Sequence, residues 1–236
     1  MDVAVTDARV REMFAEADRE LQRPGRNLAF HPFVVGVNEG KLSRQQLLNW
    51  GTQTYIYVKA VIPYIAVAFG NCPNPNVRRH IWNNLLEEQT GQLTGTKAHP
   101  ELLVDYALSV GGDRQALELA KPFYATRALM NLWEINLCHR HYAVGMAGMG
   151  FGGERQIPVT FRKVTEGLSK HYGLDAPARL FFDMHMTADE DHGDESIEVV
   201  AKSMPDDETI ARVYDCIIGT AEAMWHCWMS FETPST

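Results

Sequence analysis

Apolar residues recur with helical spacing along nearly the whole chain, and this pattern constrains the fold more than any other feature. Between residues 7 and 22, for example, Val10, Phe14, Ala17 and Leu21 stand at intervals of four, three and four. This is the period of one face of an α-helix. No segment of appreciable length alternates as a β-strand would. The pattern therefore predicts an all-α protein.

Turn signals divide the helical pattern into segments. Ser43 begins the sequence S-R-Q-Q, a capping box with Gln46 at its third helical position. The prolines at 71–75 end the segment that Ser43 begins, and the glycines at 111–112 end another segment. The predicted helices span residues 7–22, 30–38, 43–70, 76–89, 100–110, 123–147, 154–173, 176–203 and 206–231. Since no repeat or change in composition marks a boundary, we expect residues 1–236 to form one bundle of seven to nine helices.

Charge and cysteine usage limit the classes of partner and the compartment. The net charge is −8 and no basic cluster is present, which argues against nucleic acid or an anionic membrane as a partner. The longest apolar stretch, residues 61–69, contains a proline and is too short to span a bilayer. Four widely spaced cysteines and an N-terminus without an apolar core predict free thiols in the cytoplasm.

The segment M-H-M-T-A-D-E-D-H-G-D-E, residues 184–195, has the strongest chemical pattern. His185, Asp189 and His192 stand at i, i+4 and i+7, so a helix would place them on one face. Phe181 and Phe182 lie on or beside that face, which a solvated stripe of charges would not favour. Imidazole and carboxylate groups are typical ligands of iron, manganese and zinc. The segment therefore predicts half of a metal site.

Two further segments supply acidic and imidazole groups. In N-L-L-E-E, Glu88 has the helical phase of the apolar residues Ile81 and Leu85, whereas Glu87 falls on a polar face. We therefore expect Glu88 to point inward, with His99 following just beyond a loop. Glu154 opens a helix after the glycine cluster 148–153, a position that the helix dipole alone would also favour.

Together these segments give three carboxylates and three imidazoles, a set that suits two Fe(II) ions with open positions for dioxygen. Manganese in place of one iron remains open. The candidate metal ligands are Glu88, His99, Glu154, His185, Asp189 and His192, and the candidate catalytic residues are Glu88, Glu154 and His185.

Several of these motifs occur in the order of a known family. They are H-P-F-V at 31–34, N-L-L-E-E-Q-T-G at 84–91, H-P-E-L at 99–102, E-R-Q-I-P at 154–158, G-L-S-K-H-Y-G at 167–173 and H-x-x-x-D-x-x-H at 185–192. The chain resembles the haem-oxygenase-like helical proteins, which include the thiaminase-II, pyrroloquinoline-quinone synthase and chlamydial death-domain-associating types. Within them it is most similar to the diiron oxidase branch.

The resemblance implies a seven-helix fold in which the six residues hold two irons that activate dioxygen. It implies oxidation of a small, amine- or amino-acid-like substrate in a biosynthetic pathway. Members perform N-oxygenation, oxidative C–C cleavage, alkene formation or 4-aminobenzoate formation from their own tyrosine, and the fold does not choose among these. Gly153 stands where the resemblance predicts an aromatic residue, which widens the expected pocket.

Other functions stay open at this point. One is a metal-free oxidase of the pyrroloquinoline-quinone synthase type, and another is a thiaminase-II-like hydrolase with Cys138 as nucleophile. A third is a non-catalytic helical protein that binds a small molecule. A homodimer is compatible with the sequence. Tyr55, Tyr57 and Tyr64 on the 43–70 segment have the spacing of packing residues. A tyrosine near a diiron centre could instead be oxidised or contact the substrate.

Overall fold

The protein, described here by a computed structural model over residues 7–186, 203 and 206–232, consists of helices joined by short loops. The helices are α1 (Asp7–Leu21), α2 (Pro32–Asn38), α3 (Arg44–Asn71), α4 (Pro75–Thr90), α5 (His99–Ser109), α6 (Arg114–Leu119), α7 (Tyr124–Cys138), α8 (Tyr142–Ala147), α9 (Ile157–Tyr172), α10 (176–186) and α11 (Asp207–Met229). A π-helical segment, Gly148–Gly153, follows α8. The prediction of an all-α fold is confirmed.

Helix α3 is the longest helix in the described part of the chain, and it packs against α4, α5 and α7. The predicted capping box starts it: the Gln46 amide donates to Ser43 Oγ at 3.2 Å, and the Ser43 amide donates to Gln46 Oε1 at 2.8 Å. These two bonds satisfy amides that the first turn of a helix leaves unpaired. The helix ends at Asn71, before the prolines that predicted its end.

An aromatic cluster in the centre of the bundle joins α3 to the later helices. Trp50 is 1% exposed, and its ring stacks on that of Phe182 with centroids 4.9 Å apart. The rings of Phe33 and Trp228 approach Trp50 edge-on, at 5.0 and 5.6 Å. Such offset and edge-on contacts add to the burial of large apolar area. They fix α10, α2 and α11 around α3.

Close backbone packing brings the π-helical segment against α11. A Cβ on Gly152 would lie 2.4 Å from the Ile217 carbonyl oxygen, and one on Gly148 would lie 2.3 Å from Cys216 Sγ. Only glycine allows such an approach without moving the backbone. Since Glu154 directly follows this segment, the contact with α11 also fixes the position of that carboxylate.

Replacing Gly152 with Ala is expected to destabilise the protein by about 1–3 kcal/mol, because the new methyl group meets backbone that has no alternative position. Gly219, inside α11, is the matched control. A Cβ there has only Leu132 Cδ2 nearby, at 3.9 Å, so Gly219→Ala is expected to stabilise the helix by up to ~1 kcal/mol. Urea unfolding of both variants measures the difference. Equal stabilities would contradict the packing argument.

His31 is a fully buried, neutral imidazole. Its Nδ1 accepts the Phe33 amide hydrogen at 3.0 Å, and its Nε2 donates to the Trp225 carbonyl oxygen, also at 3.0 Å. Burial lowers the pKa of His31 to about 4, although the bond to Trp225 opposes this shift. The ring therefore stays neutral in the folded protein under conditions that would protonate it in the unfolded chain.

Stability is therefore expected to fall as the pH decreases from about 6.5 to about 4, because only the unfolded chain takes up a proton on His31 in that range. Between pH 7 and pH 5, the titration of His31 alone should lower the free energy of unfolding by about 2 kcal/mol. His31→Asn keeps an acceptor for the Phe33 amide but cannot titrate. The free energy of unfolding of this variant should change less with pH than that of the wild type. Parallel pH profiles would disprove the assignment.

Each of the nine predicted segments contains a helix in the described ranges. The number of α-helices there is eleven, because α6 is added and the 123–147 segment forms two helices. The prediction of one helix over 123–147 is wrong. The chain breaks at 139–141 between α7 and α8, where the His141 side chain accepts the Ala143 amide hydrogen and starts a new helix.

The short α6 was not predicted, and the predicted 176–203 helix is described only to residue 186. None of the described helices has the length and the apolar character that crossing a bilayer would require.

Candidate metal centre

Three of the predicted ligands come together from three different helices. Glu88 lies in the last turn of α4, His99 is the first residue of α5, and His185 lies near the end of the described part of α10. One ligand atom from each side chain lies within 4.8 Å of those of the other two. Residues far apart in sequence thus form one cluster with the spacing of a metal site.

His99 is the most buried member of this cluster, with 3% of its surface exposed. Its Nδ1 lies 2.9 Å from Glu88 Oε2, yet among the described residues neither ring nitrogen has a hydrogen-bond partner in good geometry. Burial lowers the pKa of His99, but the carboxylates of Glu88 and Glu87 outweigh it, and the net effect is a raised pKa. A buried imidazole without a well-formed hydrogen bond fits a ring that binds a cation.

The neighbouring carboxylate, Glu87, contacts the loop between α4 and α5. It accepts hydrogen bonds from the amides of Leu93, at 2.8 Å, and Thr94, at 3.2 Å, and from the Thr94 hydroxyl. Burial raises the pKa of Glu87, but the hydrogen bonds from Thr94 and Leu93 prevail, so the pKa is lowered. Glu87 is only 6% exposed, although the sequence pattern had placed it on a polar face. Glu87 is buried because the Leu93 and Thr94 amides of this loop need a hydrogen-bond acceptor.

The orientation of His185 is set by its own helix. Its Nδ1 donates to the Phe181 carbonyl oxygen at 2.5 Å, so Nδ1 carries a hydrogen, and in the neutral ring the lone pair is on Nε2. This is the tautomer in which an imidazole binds a metal, and a backbone carbonyl is a common partner of the other nitrogen. The ring centroids of His185 and His99 are 4.8 Å apart.

A small cavity of about 80 Å³ lies beside the cluster, and Glu154 is one of the residues that line it. It is lined by Tyr57, Val58, Val61, Glu88, Trp133, Met149, Gly153, Glu154, Ile157, Phe161, Phe181, His185 and Met224. Glu88, Glu154 and His185 thus line a cavity whose other walls are mainly apolar. Two carboxylates and an imidazole facing one apolar space are the components from which helical bundles build dinuclear iron sites.

The remaining predicted ligands, Asp189 and His192, lie outside the described residues. The structure brings Glu88, His99, Glu154 and His185 together around one site and cavity. Tyr57, Trp133, Met149 and Met224 also line the cavity. The sequence favoured a packing role for Tyr57 and left a role at the site open, and it did not single out the other three. Their helical spacing is that of ordinary core residues, so only the assembled fold separates them from the rest of the core.

The nature of these side chains fits iron, manganese or zinc better than the other common metals. Oxygen ligands alone would indicate magnesium or calcium, and thiolates would indicate zinc or an iron–sulfur cluster. The described residues that line the cavity include no cysteine. Mixed carboxylate and imidazole ligands are typical of non-haem iron.

Comparison with known proteins places the chain among redox proteins. Residues 48–227 match the model of a family described as iron-containing redox enzymes. A 4-aminobenzoate synthase of Nitrosomonas europaea is 28% identical over 210 residues, which cover 85% of this chain and 83% of that protein. A pyrroloquinoline-quinone synthase of Pseudomonas aeruginosa is 32% identical over 104 residues, 43% of this chain and 40% of that protein.

Solved structures share the fold at low sequence identity. A TenA homologue from Pseudomonas syringae pv. tomato has a TM-score of 0.77 at 14% identity and covers 94% of this chain and 91% of its own. A domain with a haem-oxygenase-like fold from Shewanella denitrificans has a TM-score of 0.72 at 17% identity, over 94% and 89% of the two chains. The predicted haem-oxygenase-like fold is confirmed.

Proposed function

Since the chain belongs to the haem-oxygenase-like family of iron-containing redox enzymes, we propose that it is a non-haem diiron oxidase or oxygenase that uses dioxygen to oxidise a small organic substrate in a biosynthetic pathway. The observation that carries this proposal is the cluster of Glu88, His99 and His185 beside a cavity that Glu154 also lines. The family and the relatives support an oxidoreductase; the two irons and dioxygen are our proposal.

Each side chain has a separate role in this proposal. Glu88 and Glu154 neutralise the cations, and His99 and His185 bind through ring nitrogens; Asp189 and His192 complete the proposed ligand set. When bound, two ferrous ions would supply electrons and open positions for the reduction of dioxygen. The Phe181 carbonyl keeps the His185 ring in its binding tautomer.

The walls of the cavity prepare it for oxidation chemistry. Phe161, Phe181 and Met224 give the cavity apolar walls, which would keep water away from the oxidation chemistry that bound iron would supply. Burial raises the pKa of Tyr57, and Cys227 adds to the shift, so the phenol keeps its proton.

The hydrolase alternative has less support. A thiaminase-type mechanism needs a cysteine thiolate in the cavity, and Cys138 is not among the residues that line it. Burial and the nearby Glu134 raise the pKa of Cys138, which disfavours the thiolate. The metal-free oxidase alternative does not explain why two carboxylates and two imidazoles converge in one place.

Iron analysis after anaerobic loading with Fe(II) tests the proposal. We expect close to two irons per chain, as in other carboxylate-bridged sites of helical bundles, and consumption of dioxygen in proportion to the iron bound. A Zn(II)-loaded sample is the control, because zinc has no accessible redox step. A chain that binds no iron under these conditions would overturn the proposal, and one that binds iron but consumes no dioxygen would reject the oxidase assignment.

A further inference from the structure

The backbone conformation at position 153 does not require a glycine. Its φ and ψ are −102° and −74°, within the right-handed helical region that residues with side chains adopt. A Cβ there would meet Met224 Sδ at 3.1 Å and Thr220 Cγ2 at 3.8 Å, with no backbone atom among these contacts. Gly152 differs, because a Cβ at that position would lie 2.4 Å from a backbone oxygen. The backbone therefore does not demand a glycine at position 153, and Met224 occupies the space next to the missing side chain.

Gly153 and Met224 both line the cavity, and so does Glu154, which directly follows Gly153. Any side chain at position 153 would project between the π-helical segment and α11, toward the flexible end of Met224. The two residues thus lie next to each other in the cavity wall, and a change in the size of either side chain changes the space beside them.

The size of the cavity limits what it can hold. Its volume is about 80 Å³, whereas an apolar cavity that binds benzene has about 150 Å³. A group of a few heavy atoms fits, and a six-membered ring does not fit unless the walls move. The walls near Met149 and Met224 are apolar, so the group that enters this part is apolar as well.

We infer that Gly153 and Met224 determine substrate specificity, restricting the substrate to molecules that present a short apolar group to the site of oxidation. The inference rests on the proposed function, because it takes this cavity as the substrate site. A side chain at Gly153 would shorten the accepted group, and truncation of Met224 would lengthen it.

Binding of xenon and benzene to the metal-free, full-length protein tests the size limit. Xenon binding is followed by ¹²⁹Xe NMR and benzene binding by calorimetry, since both probes enter dry apolar cavities. We expect the wild type to bind xenon and to bind benzene at least about tenfold more weakly than Met224→Ala does. Gly153→Ala should weaken xenon binding, and Gly153→Val should weaken it by about tenfold or more. Gly219→Ala, away from the cavity, should match the wild type.

These measurements distinguish a failure of the size limit from a failure of the diiron proposal. Unchanged xenon binding in Gly153→Val, or no gain in benzene binding in Met224→Ala, would overturn the size limit. If Gly153→Val does not fold, Gly153→Ala and the double variant Gly153→Ala/Met224→Ala test the size limit instead. In the double variant, the second change removes the sulfur atom that the new methyl group would contact. Iron content is measured in parallel. A chain without iron that keeps the xenon pattern would reject the diiron proposal and leave the cavity dimensions standing.

Discussion

Glu88→Gln is expected to remove most of the bound iron, whereas Glu87→Gln is expected to leave the iron content near that of the wild type. Glu88 lines the cavity and lies 2.9 Å from His99 Nδ1, so in our proposal its negative charge offsets that of the cations. A neutral amide cannot do this and is a weak ligand for iron. Iron per chain after anaerobic loading is the measurement.

The matched variant separates a loss of ligand from a loss of structure. Glu87 accepts hydrogen bonds from the Leu93 and Thr94 amides, and a glutamine keeps one carbonyl oxygen for that purpose. Glu87→Gln should therefore lower the free energy of unfolding by roughly 1–3 kcal/mol, the range for weakening a buried charged acceptor, with little loss of iron. Loss of iron in the Glu87 variant alone would show that the two carboxylates have the opposite roles.

The sequence predicted the helices well where strong local signals marked their ends. The capping box at Ser43 and the prolines after Asn71 both bound α3 as expected. The break between α7 and α8 had no such signal, because neither glycine nor proline lies between His139 and His141. It depends on a side-chain cap made by His141, which the sequence of an otherwise apolar stretch does not reveal.

The candidate site was predicted in part for a similar reason. Helical phase predicted that Glu88 points inward, because Ile81 and Leu85 mark the same face, and Glu88 lines the cavity. The helical phase could not show that Glu87 would be buried, because its burial depends on the path of the loop after α4. The amides of that loop donate hydrogen bonds to the Glu87 carboxylate. Cavity walls such as Trp133 depend on the packing of several helices and have no local signature.

His185→Ala is expected to abolish iron-dependent consumption of dioxygen and to reduce iron binding, while helicity is nearly unchanged. The ring belongs to the three-residue cluster and is oriented by the Phe181 carbonyl. Removing only the supporting bond of such a ligand typically costs about 10–100-fold in metal affinity, so removing the ligand itself should cost at least as much. Alanine favours the helix, so far-UV circular dichroism should change little. The same result is expected for His192→Ala from the sequence pattern.

Added imidazole distinguishes this role from a structural one. The truncated side chain leaves space beside His99 and Phe181, whose rings lie 4.8 and 4.5 Å from that of His185. Free imidazole should enter this space and restore part of the iron content, which would not happen if the variant lost iron through misfolding. His171→Ala is the control, because this exposed histidine lies on α9 and not on the cavity wall. If His185→Ala kept full iron content and dioxygen consumption, the iron ligands would have to come from elsewhere in the chain.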